Sequence, residues 1–185
     1  MAVYLDYNAT AYIRPEVRDL VIEIMETVGN GSSAHAYGRS ARKYIETARE
    51  QVASLCAVAP DQVTFTSGAT ESINTVMRHY SNKRVLISAI EHPAVIESAP
   101  HALHIPVTTD GVIDLNALEN ALKEEPTALV ALMLVNSETG VIQPVAEAAK
   151  LAHDHGALLF VDAVQAAGRI AVSYTHLTLP TTSRV

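Results

Sequence analysis

Short apolar runs that alternate with helix-like segments constrain the fold more than any other feature of this sequence. The runs at residues 84–90, 129–135 and 157–161 lack a strict polar–apolar alternation, which is typical of strands covered on both faces. Helical periodicity lies between them, as at residues 115–124 and 145–155. Strands that alternate with helices favour a parallel sheet. The sequence therefore predicts an α/β fold, a three-layer sandwich with a mostly parallel sheet.

The remaining segments extend this pattern and suggest a domain organisation. Further helices are predicted at residues 15–28, 39–58, 69–80 and from residue 93, and further strands at residues 63–66 and 103–107. We expect an N-terminal arm at 1–14 and an incomplete large domain at 15–172. Residues 173–185 have no helical or strand periodicity and contain four threonines among thirteen residues. Our hypothesis is that they are a non-native tail, which the genomic sequence beyond residue 172 would test.

Charge and cysteine content exclude several classes of function. The net charge of −7 disfavours nucleic-acid binding, which usually needs a basic face. The longest apolar run, residues 128–135, is far shorter than the roughly 18 residues of a membrane span, so no membrane association is expected. No secretory signal is visible, and the single cysteine, Cys56, cannot form an internal disulfide. These features predict a cytoplasmic protein.

Parallel sheets of this class bind ligands beyond the carboxyl ends of their strands, so the residues after each strand are the candidates. Residues 67–71 (Ser-Gly-Ala-Thr-Glu) follow the predicted strand at 63–66 and open a helix. The free N–H groups of a helix start, with the hydroxyl of Thr70, suit a phosphate. The alternative is an ordinary helix cap formed by Ser67.

Histidine provides the second candidate. His92 follows the strand at 84–90, where its ring could stack on a flat ligand or move protons; the alternative is a polar turn residue bonded to backbone. His153 and His155 are two residues apart and would point to different sides of a helix. No metal site is therefore predicted.

Two further strand ends carry polar pairs. Asn136 and Ser137 follow the strand at 129–135 and either bind a ligand or begin a turn. Asp162 ends a buried strand, where a protonated ring nitrogen is one partner that would offset its burial and a capping role is the alternative. Gln165 lies one helical turn further and would face the same side. Together the four strand ends suit a phosphorylated pyridine better than a nucleotide.

Six motifs in order then carry a family resemblance. They are residues 4–10 (YLDYNAT), 29–41 (GNGSSAHAYGRSA), 65–71 (FTSGATE), 91–92 (EH), 135–140 (VNSETG) and 161–165 (VDAVQ). These motifs resemble the cysteine desulfurases, which are class V, fold-type I, pyridoxal-phosphate-dependent enzymes. The resemblance covers about residues 3–172.

The resemblance implies a role for each matching position. Ala69 and Thr70 would bind the phosphate of pyridoxal 5'-phosphate, and His92 would stack over the pyridine ring and assist proton transfer. Asp162 would pair with the ring nitrogen and keep it protonated, and Gln165 would bond the ring hydroxyl.

One position departs from the family pattern. The family usually has a second asparagine at the position of Ser137, and that asparagine also contacts the ring. Serine is shorter, although its hydroxyl can still donate a hydrogen bond.

The resemblance also implies a reaction and partners. L-cysteine would become L-alanine, and the sulfur would remain as a persulfide on an enzyme cysteine. It would then pass to an acceptor or scaffold protein for iron–sulfur cluster assembly or tRNA thiolation. The family forms homodimers. The alternatives are another class V member, such as a selenocysteine lyase or an aminotransferase, and a non-catalytic dimerisation or binding module.

Three family residues have no counterpart here: the lysine that bonds the cofactor, the sulfur-accepting cysteine and the arginine that holds the substrate carboxylate. No lysine follows Asp162, and the four lysines of the chain lie outside the family context: Lys43, Lys83, Lys123 and Lys150. Cys56, within a predicted helix, is expected to be a small buried hydrophobe rather than the sulfur acceptor. We therefore predict that this chain alone is inactive.

Overall fold

The computed structural model of the protein describes residues 3–170, and the chain divides into two compact units between Thr64 and Phe65. The first unit contains helix α1 (Pro15–Met25), helix α2 (Ala36–Cys56) and a short 3-10 turn (Pro60–Gln62). Helix α2 begins three residues earlier than its apolar periodicity predicts, because the His35 ring accepts a hydrogen bond from the Gly38 N–H and caps the helix. The predicted tail at 173–185 lies outside the described residues.

Burial in this unit is lower than its apolar residues suggest. Helix α1 has apolar residues at the spacing of an amphipathic helix, yet none of its residues is buried. Cys56 is half-buried rather than buried, because it is the last residue of α2, beside the left-handed Ala57 that ends the helix.

Gly38 provides a test of packing in this unit. It is buried in the first turn of α2, where a Cβ would overlap the Ser33 carbonyl oxygen and lie 2.8 Å from that of Asn30. Backbone atoms cannot rotate away, so we expect Gly38→Ala to lower the free energy of unfolding by about 1–3 kcal/mol. Urea denaturation measures this. Gly68→Ala is the matched control, since a Cβ there meets nothing within 4 Å; equal losses from both would contradict the argument.

The second unit contains a four-stranded parallel sheet with strand order β2-β1-β3-β4. The strands are β1 (Val85–Ser88), β2 (Leu103–Ile105), β3 (Leu129–Met133) and β4 (Leu158–Asp162). The helices between and around them are α3 (Ala69–His79), α4 (Pro93–Ser98), α5 (Leu115–Glu124) and α6 (Val145–Asp154). This arrangement confirms the predicted α/β fold with a parallel sheet.

Helices cover the sheet on both faces, because successive strand residues point to opposite sides. Leu86 belongs to a core cluster with Leu118 of α5 and Ala148 of α6. Its neighbour Ile87 belongs to a second cluster with Ile73 of α3 and Val95 of α4. The two clusters account for the three layers.

Two predicted strands differ from the structure. Residues 63–66 form no strand; the Val63 carbonyl instead accepts a hydrogen bond from the Arg49 guanidinium. Strand β4 is half-buried rather than buried, with Leu158 43% exposed, because among residues 3–170 only β3 flanks it. Within residues 3–170, no helix is long and apolar enough to cross a membrane.

Candidate ligand site at the carboxyl ends of the strands

Hydrogen bonds join the carboxyl ends of three parallel strands into one edge. The Asn136 side-chain amide, beyond β3, donates to the Ile90 carbonyl beyond β1 at 3.1 Å. The Leu134 N–H donates to the Asp162 carbonyl at the end of β4 at 2.8 Å. The structure therefore brings the segments that contain His92, Ser137 and Asp162 to the same edge of the sheet.

The N-terminus of α3 lies at this edge as well. Tyr80, directly after α3, and Val85, at the start of β1, line one cavity, so α3 runs antiparallel to β1. The helix is capped by Gly68 without a side-chain hydrogen bond. The first N–H groups of a helix have no intrahelical acceptor, and here they belong to exposed residues that include Ala69 and Thr70.

Ser67 does not cap this helix, contrary to the alternative considered from sequence. Its N–H and hydroxyl both donate to the Glu71 carboxylate, at 2.6 and 2.5 Å. These bonds stabilise the ionised form and lower the pKa of Glu71 below its usual value. The serine and the glutamate are thus paired with each other, and Ser67 does not occupy the N–H groups at the start of α3.

His92 has the turn role considered for it, and its ring is also exposed. Its Nδ1 accepts a hydrogen bond from the Ala94 N–H at 3.1 Å and caps α4, as the alternative predicts. When Nδ1 accepts, the proton of a neutral imidazole resides on Nε2. The side chain is nevertheless exposed, so a ring face is accessible to a flat ligand.

Of the two polar residues after β3, Asn136 has a structural role and Ser137 remains a candidate for ligand binding. Asn136 is buried, and its Oδ1 accepts bonds from the N–H groups of Glu138 and Thr139 at 2.9 Å each. The turn alternative therefore applies to Asn136. Ser137 is half-buried in that turn and remains the candidate.

Asp162 and Gln165 follow β4. The Asp162 Oδ1 accepts a bond from the Val164 N–H at 3.0 Å, so the carboxylate caps the turn, and the side chain is half-buried. A carboxylate has a second oxygen with which it can bind a protonated ring nitrogen while it caps. Gln165 is half-buried in the consecutive turns at residues 164–169.

Glu91 is a buried acid at this edge that sequence reasoning missed. It is only 5% exposed, and burial raises its pKa to about 7; hydrogen bonds from Ser88 and Met133 act against this shift, and the charge of Asp162 adds to it. A glutamate directly after an apolar strand is the same signal that marked Asp162.

The fold and the site together define an α/β protein that presents a helix start without a side-chain cap, an exposed imidazole and a carboxylate at the carboxyl edge of a parallel sheet. A family model described as aminotransferase class V matches residues 3–179, and the chain belongs to that family. This confirms the family predicted from the sequence motifs.

The relatives are cysteine desulfurases. The chain is 35% identical to cysteine desulfurase IscS of Vibrio cholerae, over 96% of this chain and 48% of that protein. Among solved structures it matches a NifS-like protein of Rickettsia africae with a TM-score of 0.90 at 38% identity, over 96% and 52% of the two chains. It also matches a structure titled SspA in complex with cysteine, with a TM-score of 0.81 at 26% identity, over 94% and 54%. The chain thus spans about half the length of these relatives.

Proposed function

We propose that these residues form the cofactor-holding part of a pyridoxal-phosphate-dependent cysteine desulfurase. The observation that carries this proposal is the convergence of the α3 N-terminus with the carboxyl ends of β1, β3 and β4. Each of these four places supplies one kind of group that the cofactor needs.

The groups at the edge fit pyridoxal phosphate. The free N–H groups of Ala69 and Thr70 would hold the phosphate, which a helix start favours through its dipole. The exposed His92 ring would stack on the pyridine. Asp162 would bind the protonated ring nitrogen, and Gln165 with Ser137 would bond the ring substituents. The bound cofactor would withdraw electrons from an amino acid substrate.

L-cysteine is the proposed substrate of the whole protein. The support comes from the relatives, which are named cysteine desulfurases, and from the neighbour whose title records a complex with cysteine. The proposal also includes persulfide transfer to an acceptor or scaffold protein, homodimer formation and a cytoplasmic location. Thiol chemistry of this kind requires a reducing compartment.

The first test is cofactor binding by the purified 185-residue chain. We expect saturable, non-covalent binding of pyridoxal phosphate, followed by absorbance, and weaker binding of pyridoxal, which lacks the phosphate. Since no lysine follows Asp162 in this sequence, borohydride treatment should give no stoichiometric adduct at any one lysine, and L-cysteine should release no alanine.

Each result separates the candidates. Reduction of an adduct onto one particular lysine would contradict the assignment of the cofactor-bonding residue. An absence of saturable binding would favour the non-catalytic dimerisation module. Size-exclusion chromatography with a full-length relative then tests that alternative directly.

A further inference from the structure

The carboxyl group of Glu91 bonds two neighbouring strands where the candidate site is built. Its Oε1 accepts a hydrogen bond from the Ser88 hydroxyl of β1 at 2.6 Å and one from the Met133 N–H of β3 at 2.8 Å. The residue that follows it is His92. A single buried oxygen therefore fixes the end of β1 against β3 immediately before the imidazole.

The second carboxyl oxygen of Glu91 has a different environment. Oε2 is buried and has no hydrogen-bond partner among residues 3–170. An ionised carboxylate with one unsolvated oxygen is costly in such a place, and a protonated carboxyl, which carries no charge, costs less. The neighbouring charge is also unfavourable, because the field of Asp162 on β4 opposes ionisation of Glu91.

Resting on the proposed function, we propose that Glu91 is a positioning residue of the site, whose protonated carboxyl fixes β1 to β3 near Asp162 without adding a second negative charge. It acts through two other residues: His92, whose backbone it anchors, and Asp162, which remains the charged partner for the ring nitrogen. The carboxyl group itself contacts neither cofactor nor substrate in this scheme.

This role makes the stability of the chain depend on pH in a defined direction. The folded-state pKa of about 7 lies above the ordinary value of 4.5, so the folded protein binds the Glu91 proton more tightly than the unfolded chain does. The stabilisation is complete below pH 4.5 and is lost as the pH rises to about 7. The folding equilibrium constant should fall by up to about 300-fold across this interval from Glu91 alone.

Glu91→Gln tests the inference in the cofactor-free chain. Glutamine keeps the Oε1 acceptor for Ser88 and Met133 and has no charge at any pH. Urea unfolding from pH 5 to pH 8 should show that the wild type loses stability relative to the variant as the pH rises, because the folded-state Glu91 ionises near pH 7 and glutamine does not ionise. A purely structural role would instead produce the same loss at every pH.

A second variant and a control test the coupling. In Asp162→Asn the repulsive charge is gone, so the pH-dependent step should move to lower pH. Glu97→Gln, at an exposed position of α4, should leave the wild-type pH profile unchanged. Parallel profiles of Glu91→Gln and the wild type, or an unmoved step in Asp162→Asn, would overturn the inference.

The proposed function and this inference fail in different ways. If the wild type does not bind pyridoxal phosphate but the pH step behaves as described, the cofactor assignment is wrong and the Glu91–Asp162 coupling stands. If the wild type binds pyridoxal phosphate and the pH step is missing, the cofactor assignment stands and the role of Glu91 is wrong.

Discussion

Asp162→Asn is expected to weaken pyridoxal phosphate binding to the purified chain by about 10- to 100-fold. A hydrogen bond between two charged groups contributes about 1.5–3 kcal/mol, and asparagine has no charge to offer a protonated ring nitrogen. Asparagine keeps an Oδ1 that accepts from the Val164 N–H, so the turn after β4 should remain intact. A titration followed by absorbance gives the two dissociation constants.

Asp154→Asn is the matched control for this prediction. Asp154 is the last residue of α6, before β4 begins, whereas Asp162 is the last residue of β4. The Asp154 carboxylate forms an exposed ion pair with Lys150 at 2.8 Å. We expect its dissociation constant to equal that of the wild type. Equal weakening by both variants would reveal a general effect of net charge, and unchanged binding in Asp162→Asn would remove the ring-nitrogen role.

Leu86→Ala is expected to have the largest effect on stability, a loss of about 2–5 kcal/mol in the free energy of unfolding. Leu86 is 0% exposed and lies in β1 between Leu103 of β2 and Val130 of β3. Truncation leaves a cavity that helices α5 and α6 cover from one side, and a packed sheet cannot collapse to fill it. Urea denaturation at constant pH measures the loss.

Leu158→Ala provides the comparison within the same sheet. Leu158 lies in the edge strand β4 and is 43% exposed, so the same truncation removes less buried surface. We expect a loss below about 1.5 kcal/mol. If the two variants lose equal stability, the sheet core is not centred on β1 and β3.

Elements with strong local signals were predictable from the sequence. The helix at 115–124 has both an apolar face and Asp114, whose carboxylate caps it by accepting from the N–H groups of Asn116 and Ala117, and prediction and structure agree on its bounds. Residues 63–66 have strand composition but form no strand, because pairing requires a neighbouring chain that a short segment cannot specify.

The candidate site was predictable to a similar degree. His92, Ser137 and Asp162 were found because ligands of parallel sheets bind beyond the carboxyl ends of strands. The capping bonds of His92 and Asp162 were open questions, since each depends on the backbone geometry of one turn. The position of Glu91 directly after an apolar strand was visible in the sequence, but its hydrogen bond from Met133, 42 residues away in the chain, and the field of Asp162 were not.

The sequence by itself determined the alternation of strands and helices, the family and the positions at which polar groups follow strands. These properties depend on the order of residue types along the chain. The tertiary structure alone decided that β4 is an exposed edge, that α1 has no buried residue and that Glu91 is a buried acid. Burial and charge coupling are sums over neighbours brought together from distant parts of the chain, so no local pattern can specify them.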